Sequence, residues 1–255
     1  MSVLESFSLA GKCALVTGAS RGLGRAIAEA FAEAGADVVC ASSTSGGADA
    51  TAAAIRALGR EAWTVHADLA DRAAVDRLIG EVQRAAPRID ILVNNGGSIA
   101  RAPAAEYPIA EWDRVLRTNL DSVWLLSQAF GRQMIERRRG KIINVASLLS
   151  FTGGLTVPAY TASKHAVAGL TKALANEWAA HRVQVNAIAP GYFDTDNTRA
   201  LRDDPKRFAE ISARIPAGRW GTPRDLAGAA VFLASAASDY VSGHVLLVDG
   251  GWTSR

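Results

Sequence analysis

The chain is poor in sulfur, with two cysteines and two methionines in 255 residues. Cys13 and Cys40 each stand in an apolar, strand-like run, the setting of a buried thiol rather than of a disulfide or a metal ligand. The four histidines show none of the spacings that hold a metal, so no metal site is expected. An excess of one charge is also missing: the net charge is +3, and the basic residues are dispersed apart from Arg137-Arg138-Arg139. That run falls at the end of an expected helix, where cations meet the negative end of the dipole. It makes no nucleic-acid footprint. No apolar run reaches the length of a membrane span, and residues 1–12 lack the basic and apolar regions of a secretory signal, so a cytoplasmic location is expected. Repeats and low-complexity linkers are absent. With 49% hydrophobic and 21% charged residues the chain can bury a large core, and one domain over 1–255 is expected.

Short β-branched and apolar runs alternate with longer amphipathic stretches from end to end, the mark of repeated βα units around a parallel sheet. Strands are expected at 13–17, 37–41, 61–67, 89–94, 140–147, 183–188 and 244–249, and helices at 22–34, 48–58, 70–86, 111–138, 159–180 and 224–234. Several strands are apolar on both faces, as in Ile89-Asp90-Ile91-Leu92-Val93, which requires helices on each side of the sheet. The fold class is therefore α/β, a doubly wound seven-stranded parallel sheet. The one irregular stretch, 191–221, follows the sixth strand at the carboxyl edge, where substrate lids are built.

Chemistry enters at two places. Thr17-Gly18-Ala19-Ser20-Arg21-Gly22-Leu23-Gly24 follows the first strand and opens the first helix. Its glycines permit a tight turn and let the backbone approach a pyrophosphate, whose charge meets the helix N-terminus. Tyr160 and Lys164 stand four apart in a helical stretch and so share a face. A free tyrosine has a pKa of about 10, and a cation held beside it favours the phenolate, making the phenol usable as an acid or base.

The Gly-x-x-x-Gly-x-Gly turn, Asn94-Asn95-Gly96-Gly97, Asn119, Ser147, Tyr160, Lys164 and Pro190-Gly191 occur in order over essentially the whole chain. Together they resemble the short-chain dehydrogenase/reductase family. The resemblance implies a Rossmann-type sheet, a nicotinamide cofactor, and a catalytic set of Asn119, Ser147, Tyr160 and Lys164. Ser147 would bond the substrate oxygen, and Tyr160 would exchange its proton. Lys164 would lower the tyrosine pKa and bond the nicotinamide ribose, and Asn119 would hold a water beside the lysine. Gly18, Ser20, Arg21, Gly22, Leu23, Gly24, Ser42, Ser43, Asp68, Leu69, Asn95, Gly96, Gly97, Pro190, Gly191 and Thr195 would hold the cofactor with Tyr160 and Lys164. Asp68 is also a good N-cap. The family usually has alanine where this chain has Gly96, and loss of that methyl should loosen the turn.

The position of Ser42, at the end of the second strand, carries an acidic residue in NAD-specific relatives. Here that charge is absent and Arg21 resembles the basic residue of NADP users, so NADP or NAD is expected, with NADP favoured. The stretches 141–151, 175–179, 190–192, 196–198 and 214–221 resemble the 2-deoxy-D-gluconate 3-dehydrogenase and gluconate 5-dehydrogenase branch, which implies a sugar-acid substrate. A sugar acid needs a cation for its carboxylate: Arg101 is the first candidate, with Ser147, Tyr192 and Asn197 around it, and Thr198, Arg199 and Arg202 as rivals. Trp220 and Trp252 read as packing or subunit-contact residues, and the resemblance implies a homotetramer. A 3-oxoacyl-thioester reductase, whose acidic carrier Arg137 to Arg139 would dock, a promiscuous sugar-alcohol dehydrogenase and a non-catalytic nucleotide-binding regulator are the alternatives.

Overall fold

Seven apolar runs pair into one parallel sheet in the computed structural model, which describes residues 2–86 and 88–254. Positions 1, 87 and 255, which the expected domain of 1–255 includes, lie outside the described residues. The strands are β1 Cys13–Thr17, β2 Asp37–Ser42, β3 Ala62–His66, β4 Ile91–Asn94, β5 Gly140–Val145, β6 Val183–Pro190 and β7 Val245–Val248, in the order β3-β2-β1-β4-β5-β6-β7. The order reverses between β1 and β4, where Ala14 lies opposite Ile91, so a crevice opens there at the carboxyl ends of the strands.

Alternate residues of each strand feed two cores. Ala14, Val16, Val38, Cys40, Ile91, Val93 and Ile143 meet Ile27 and Phe31 of α1 (Gly22–Glu33), Ile55 of α2 (Asp49–Ala57), and Leu226 and Leu233 of α9 (Pro223–Ala234). On the other face Leu15, Val39, Leu92, Ile142 and Val185 meet Leu78 and Val82 of α3 (Arg72–Ala85), Phe130 and Met134 of α5 (Ser122–Glu136), and Leu174 and Trp178 of α6 (Pro158–Trp178). Fully burying one such side chain contributes roughly 1.5–3 kcal/mol, so these two faces outweigh any surface ion pair, worth about 0–1 kcal/mol. Cys13 and Cys40 are buried in these cores, and burial pushes both thiols up to about 12, which leaves them unreactive near neutrality. No described helix is long and apolar enough to cross a membrane.

Two expectations need correction. The single helix at 111–138 is α4 (Ile109–Leu116) and α5, joined by a π-helical turn, Arg117–Asp121. Hydroxyls explain the break: Thr118 Oγ1 donates to Arg114 O at 2.8 Å and Ser122 Oγ to Thr118 O at 2.6 Å, competing with the backbone ladder. The stretch 191–221 is not irregular. It holds α7 (Arg199–Arg202) and α8 (Pro205–Arg214), the latter started by Asp204, which accepts from the Lys206 and Arg207 N–H groups, and by proline in its first turn. Its neck is closed by Asp194 N to Gly221 O at 2.8 Å and Gly221 N to Tyr192 O at 2.9 Å.

Candidate active site

The end of β1 turns into α1 through two left-handed glycines, Gly18 at φ 65° and Gly22 at φ 56°. A Cβ on Gly24 would lie 2.1 Å from Gly18 O, so only glycine lets the helix start this close to the turn. Asn95 braces the arrangement, its Nδ2 donating to Thr17 O at 2.9 Å and Gly18 O at 3.2 Å, while Thr17 Oγ1 accepts from the N–H groups of Asn95 and Gly96. No side chain caps α1, so its first-turn N–H groups remain available to an anion. A cleft of about 380 Å³ lies over this turn. Gly18, Ser20, Arg21, Gly22, Leu23, Gly24, Ser42, Ser43, Asp68, Leu69, Asn95, Gly96, Gly97 and Thr195 line it. Tyr160 and Gly191 face the neighbouring cavity instead, and Lys164 and Pro190 line neither.

Gly96 is not a loosened turn. A Cβ there would lie 2.5 Å from Leu69 Cδ1, so the leucine already fills the space of the missing methyl. Ser42 is buried and donates to Thr44 O at 2.8 Å, which leaves exposed Ser43 as the freer hydroxyl at this edge. Arg21 reaches across to the lid and pairs with Asp196 at 2.9 Å, yet its side chain stays 75% exposed and free to turn toward the cleft. Asp68 lines the cleft and accepts from Ala70 N in the loop at 2.9 Å, but it is not the N-cap, a place taken by Asp71, which accepts from Ala73 N at the start of α3.

The strand-five end carries Ser147, whose Oγ accepts from Leu149 N at 3.1 Å and so has its proton directed elsewhere. Its hydroxyl acts on the Tyr160 phenol, holding that pKa down, and the two side chains line one cavity. Lys164 is buried, donates to Val145 O at 2.6 Å and lies 5.5 Å from the Tyr160 ring centroid. Burial lowers its pKa to about 8. The phenol differs from the expectation: burial raises the Tyr160 pKa, opposed by the Ser147 hydrogen bond and the charge of Arg101, not by Lys164. The ammonium is drawn to Val145 O and faces the ring rather than the oxygen.

Asn119 sits in the π-helical turn and is 1% exposed. Its side chain is fully engaged: Nδ2 donates to Ser98 O at 2.9 Å and Ser163 Oγ at 3.1 Å, and Oδ1 accepts from Ser98 N at 2.8 Å. Since Ser163 Oγ donates to Tyr160 O, this amide ties the loop after β4 to the helix that carries the tyrosine. The side chain has no amide hydrogen left for a water beside the lysine.

Ser147 and Tyr160 open on a cavity of about 430 Å³ that also receives Arg101, Tyr192, Asn197 and Thr198. Arg199 and Arg202 are elsewhere, paired with Asp196 and Asp194. Sequence reasoning missed Arg207, Glu210 and Arg214, which line the cavity from one face of α8 at spacings of three, four and seven with Ile211. Trp252 lines it too: the residue is 6% exposed, its ring lies tilted against Tyr192 at 4.6 Å between centroids, and it carries the Arg214 guanidinium 4.1 Å from its centroid. Trp220 is the packing residue expected, edge-on to Tyr192 and stacked on Phe208. Asn197 lines both cavities, and its backbone oxygen accepts from Arg101 Nη2 at 3.1 Å.

Residues 18–253 match the family described as enoyl-(acyl carrier protein) reductase. The chain is 55% identical over 251 residues to 2-dehydro-3-deoxy-D-gluconate 5-dehydrogenase of Bacillus subtilis (strain 168), covering 98% of each. It is 44% identical over 253 residues to gluconate 5-dehydrogenase of Gluconobacter oxydans, covering 99% of each. Among solved structures, gluconate 5-dehydrogenase from Burkholderia cenocepacia J2315 in complex with NADP and tartrate superposes with a TM-score of 0.95 at 44% identity, over 100% of both chains. With a glycine-rich turn at the switch point and a Ser-Tyr-Lys group beyond it, the chain belongs to the short-chain dehydrogenase/reductase family.

Proposed function

We propose that this protein is an NAD(P)-dependent oxidoreductase that interconverts a secondary hydroxyl and a ketone on a sugar acid of the gluconate or keto-deoxygluconate type. The observation that carries the reading is that Ser147 and Tyr160 line one cavity with three arginines, Arg101, Arg207 and Arg214, against one carboxylate, Glu210. Such a balance suits a polyhydroxylated anion better than a neutral polyol, and the cavity joins the glycine-rich cleft through Asn197.

The cleft fits a dinucleotide: the uncapped helix N-terminus would receive the pyrophosphate, and Ser43 and Arg21 would meet a 2′-phosphate. When bound, the nicotinamide supplies or accepts the hydride. Ser147 donates to the substrate oxygen, polarising a carbonyl or orienting a hydroxyl, and Tyr160 gives a proton to that oxygen in reduction or takes it in oxidation. Lys164 holds positive charge against the ring, and Asn119 fixes the helix from which both project. The segment 191–221 covers the substrate as a lid. Absorbance at 340 nm with NADP or NAD against gluconate, keto-deoxy sugar acids, neutral polyols and acetoacetyl thioesters tests the reading; turnover confined to thioesters or neutral polyols would refute it.

Arg21→Ala is expected to raise the KM for NADP about tenfold, one charge-assisted contact, with little effect on NAD. Equal losses with both cofactors would place the phosphate elsewhere.

A further inference from the structure

The basic run Arg137-Arg138-Arg139 does more than end a helix. Arg137 Nη2 donates to Ile89 O, whereas Arg138 and Arg139 turn to a separate cavity of about 660 Å³ at the amino ends of β1, β4, β5 and β6. The six residues of β5 place this cavity about 20 Å from the strand end that carries Ser147. Lys12, Lys141 and Arg182 join the two arginines around it.

Its acids are already engaged. Asp90 accepts from Arg88 Nε on both oxygens at 3.0 Å and from Cys13 N, Asp239 pairs with Lys141 at 2.7 Å, and Glu5 accepts from Ser2 N. Arg138 donates only to a backbone oxygen, Ala180 O, at 2.9 Å. Lys12, Arg139 and Arg182 form no ion pair with any described residue. The Lys12 pKa is lowered by burial and next by the charge of Arg139.

The backbone supplies an independent observation. Arg138 at φ 55° and Arg182 at φ 57° are two of three non-glycine residues with positive φ among the described residues. Each follows a helix, at a position that favours glycine. Two arginines thus stand where glycine would relieve strain, and both line one cavity.

We propose that this cavity binds a small phosphorylated polyanion, at a site separate from the cofactor and substrate clefts, with Lys12, Arg138, Arg139 and Arg182 as its ligands. Guanidinium forks match phosphate oxygens in pairs, and an ammonium adds a point charge.

The test is calorimetric titration of inorganic pyrophosphate into the full chain saturated with NADP, at fixed ionic strength. One saturable site per chain is expected, weakened about tenfold by Arg139→Ala and about tenfold by Arg182→Gly. Glycine suits the positive φ at 182, so Arg182→Gly is expected to keep or raise Tm, separating lost binding from lost folding. Arg21→Ala, in the cofactor cleft, should leave the pyrophosphate affinity unchanged. Absence of saturable binding, an unchanged affinity in both cavity variants, or loss of binding in Arg21→Ala would overturn the proposal.

Discussion

Tyr160→Phe is expected to lower turnover about 10³-fold while leaving NADP affinity within about twofold of the unaltered protein. The substitution removes only the phenol oxygen, so the ring remains against Lys164 and the packing of α6 is kept. What disappears is the oxygen proposed to exchange a proton with the substrate, on which the Ser147 hydroxyl acts. Because burial raises the phenol pKa, the residue is protonated near neutrality in the cofactor-free site and is supplied in its acidic form. Reduction should therefore be flat through neutrality and fall as pH rises through that pKa, while oxidation, which needs the phenolate, should rise with pH. Lys164, lowered to about 8, loses its charge at a lower pH than that at which the raised phenol ionises. Initial rates in both directions from pH 6 to 11, with cofactor binding followed by fluorescence, check this. A phenylalanine variant of near-normal turnover would remove Tyr160 from the chemistry.

Arg207→Met with Arg214→Met is expected to lower kcat/KM for a sugar acid about a hundredfold, mostly through KM, and to leave a neutral polyol nearly unaffected. A hydrogen bond to a charged group contributes about 1.5–3 kcal/mol, and under the proposed function both arginines would serve one substrate carboxylate, so their losses should not simply add. Methionine keeps aliphatic volume over Trp252, where the Arg214 guanidinium now stacks. Arg101→Ala should differ. That side chain also holds Asn197 O and pulls down the Tyr160 pKa, so both kcat and KM should change, and the alkaline limb of the oxidation profile should move upward. Equal losses for the sugar acid and the neutral polyol would show that the α8 arginines support the lid and not the substrate. Near-UV circular dichroism of Trp220 and Trp252 reports whether the lid still packs.

Much of this architecture was legible in the chain because its signals are local. Strands such as Ile91–Asn94 are buried on both faces, and the glycine-rich turn sits directly between an apolar run and an amphipathic one. Tyr160 and Lys164 announce themselves by helical spacing. What stayed hidden depended on neighbours distant in sequence or on hydroxyls with no periodic signature. The π-helical turn comes from Thr118 and Ser122 bonding back to the chain, which leaves the surrounding pattern helical. Leu69 filling the space beside Gly96 links two separate loops. Arg207 and Arg214 could have been found from the Asp204-Pro205 start signal and the Ile211 and Ile215 repeat, but α8 is ten residues long and mostly polar, with Ile211 its one buried residue among those described. The upward shift of Tyr160 required knowing how completely the folded chain buries the phenol, which spacing alone does not show.

The neck at Tyr192, Asp194 and Gly221 fastens both ends of the intervening segment beside each other, and the segment packs as one apolar cluster against Leu148, Leu149 and Trp252. A piece of chain anchored in this way can be exchanged as a cassette. Insertions, deletions or wholesale replacement between the two anchors would leave strand register, the glycine-rich turn and the proton-transfer residues where they are. Substrate preference in such a molecule can drift by trading one cassette for another, while the hydride chemistry is inherited unchanged.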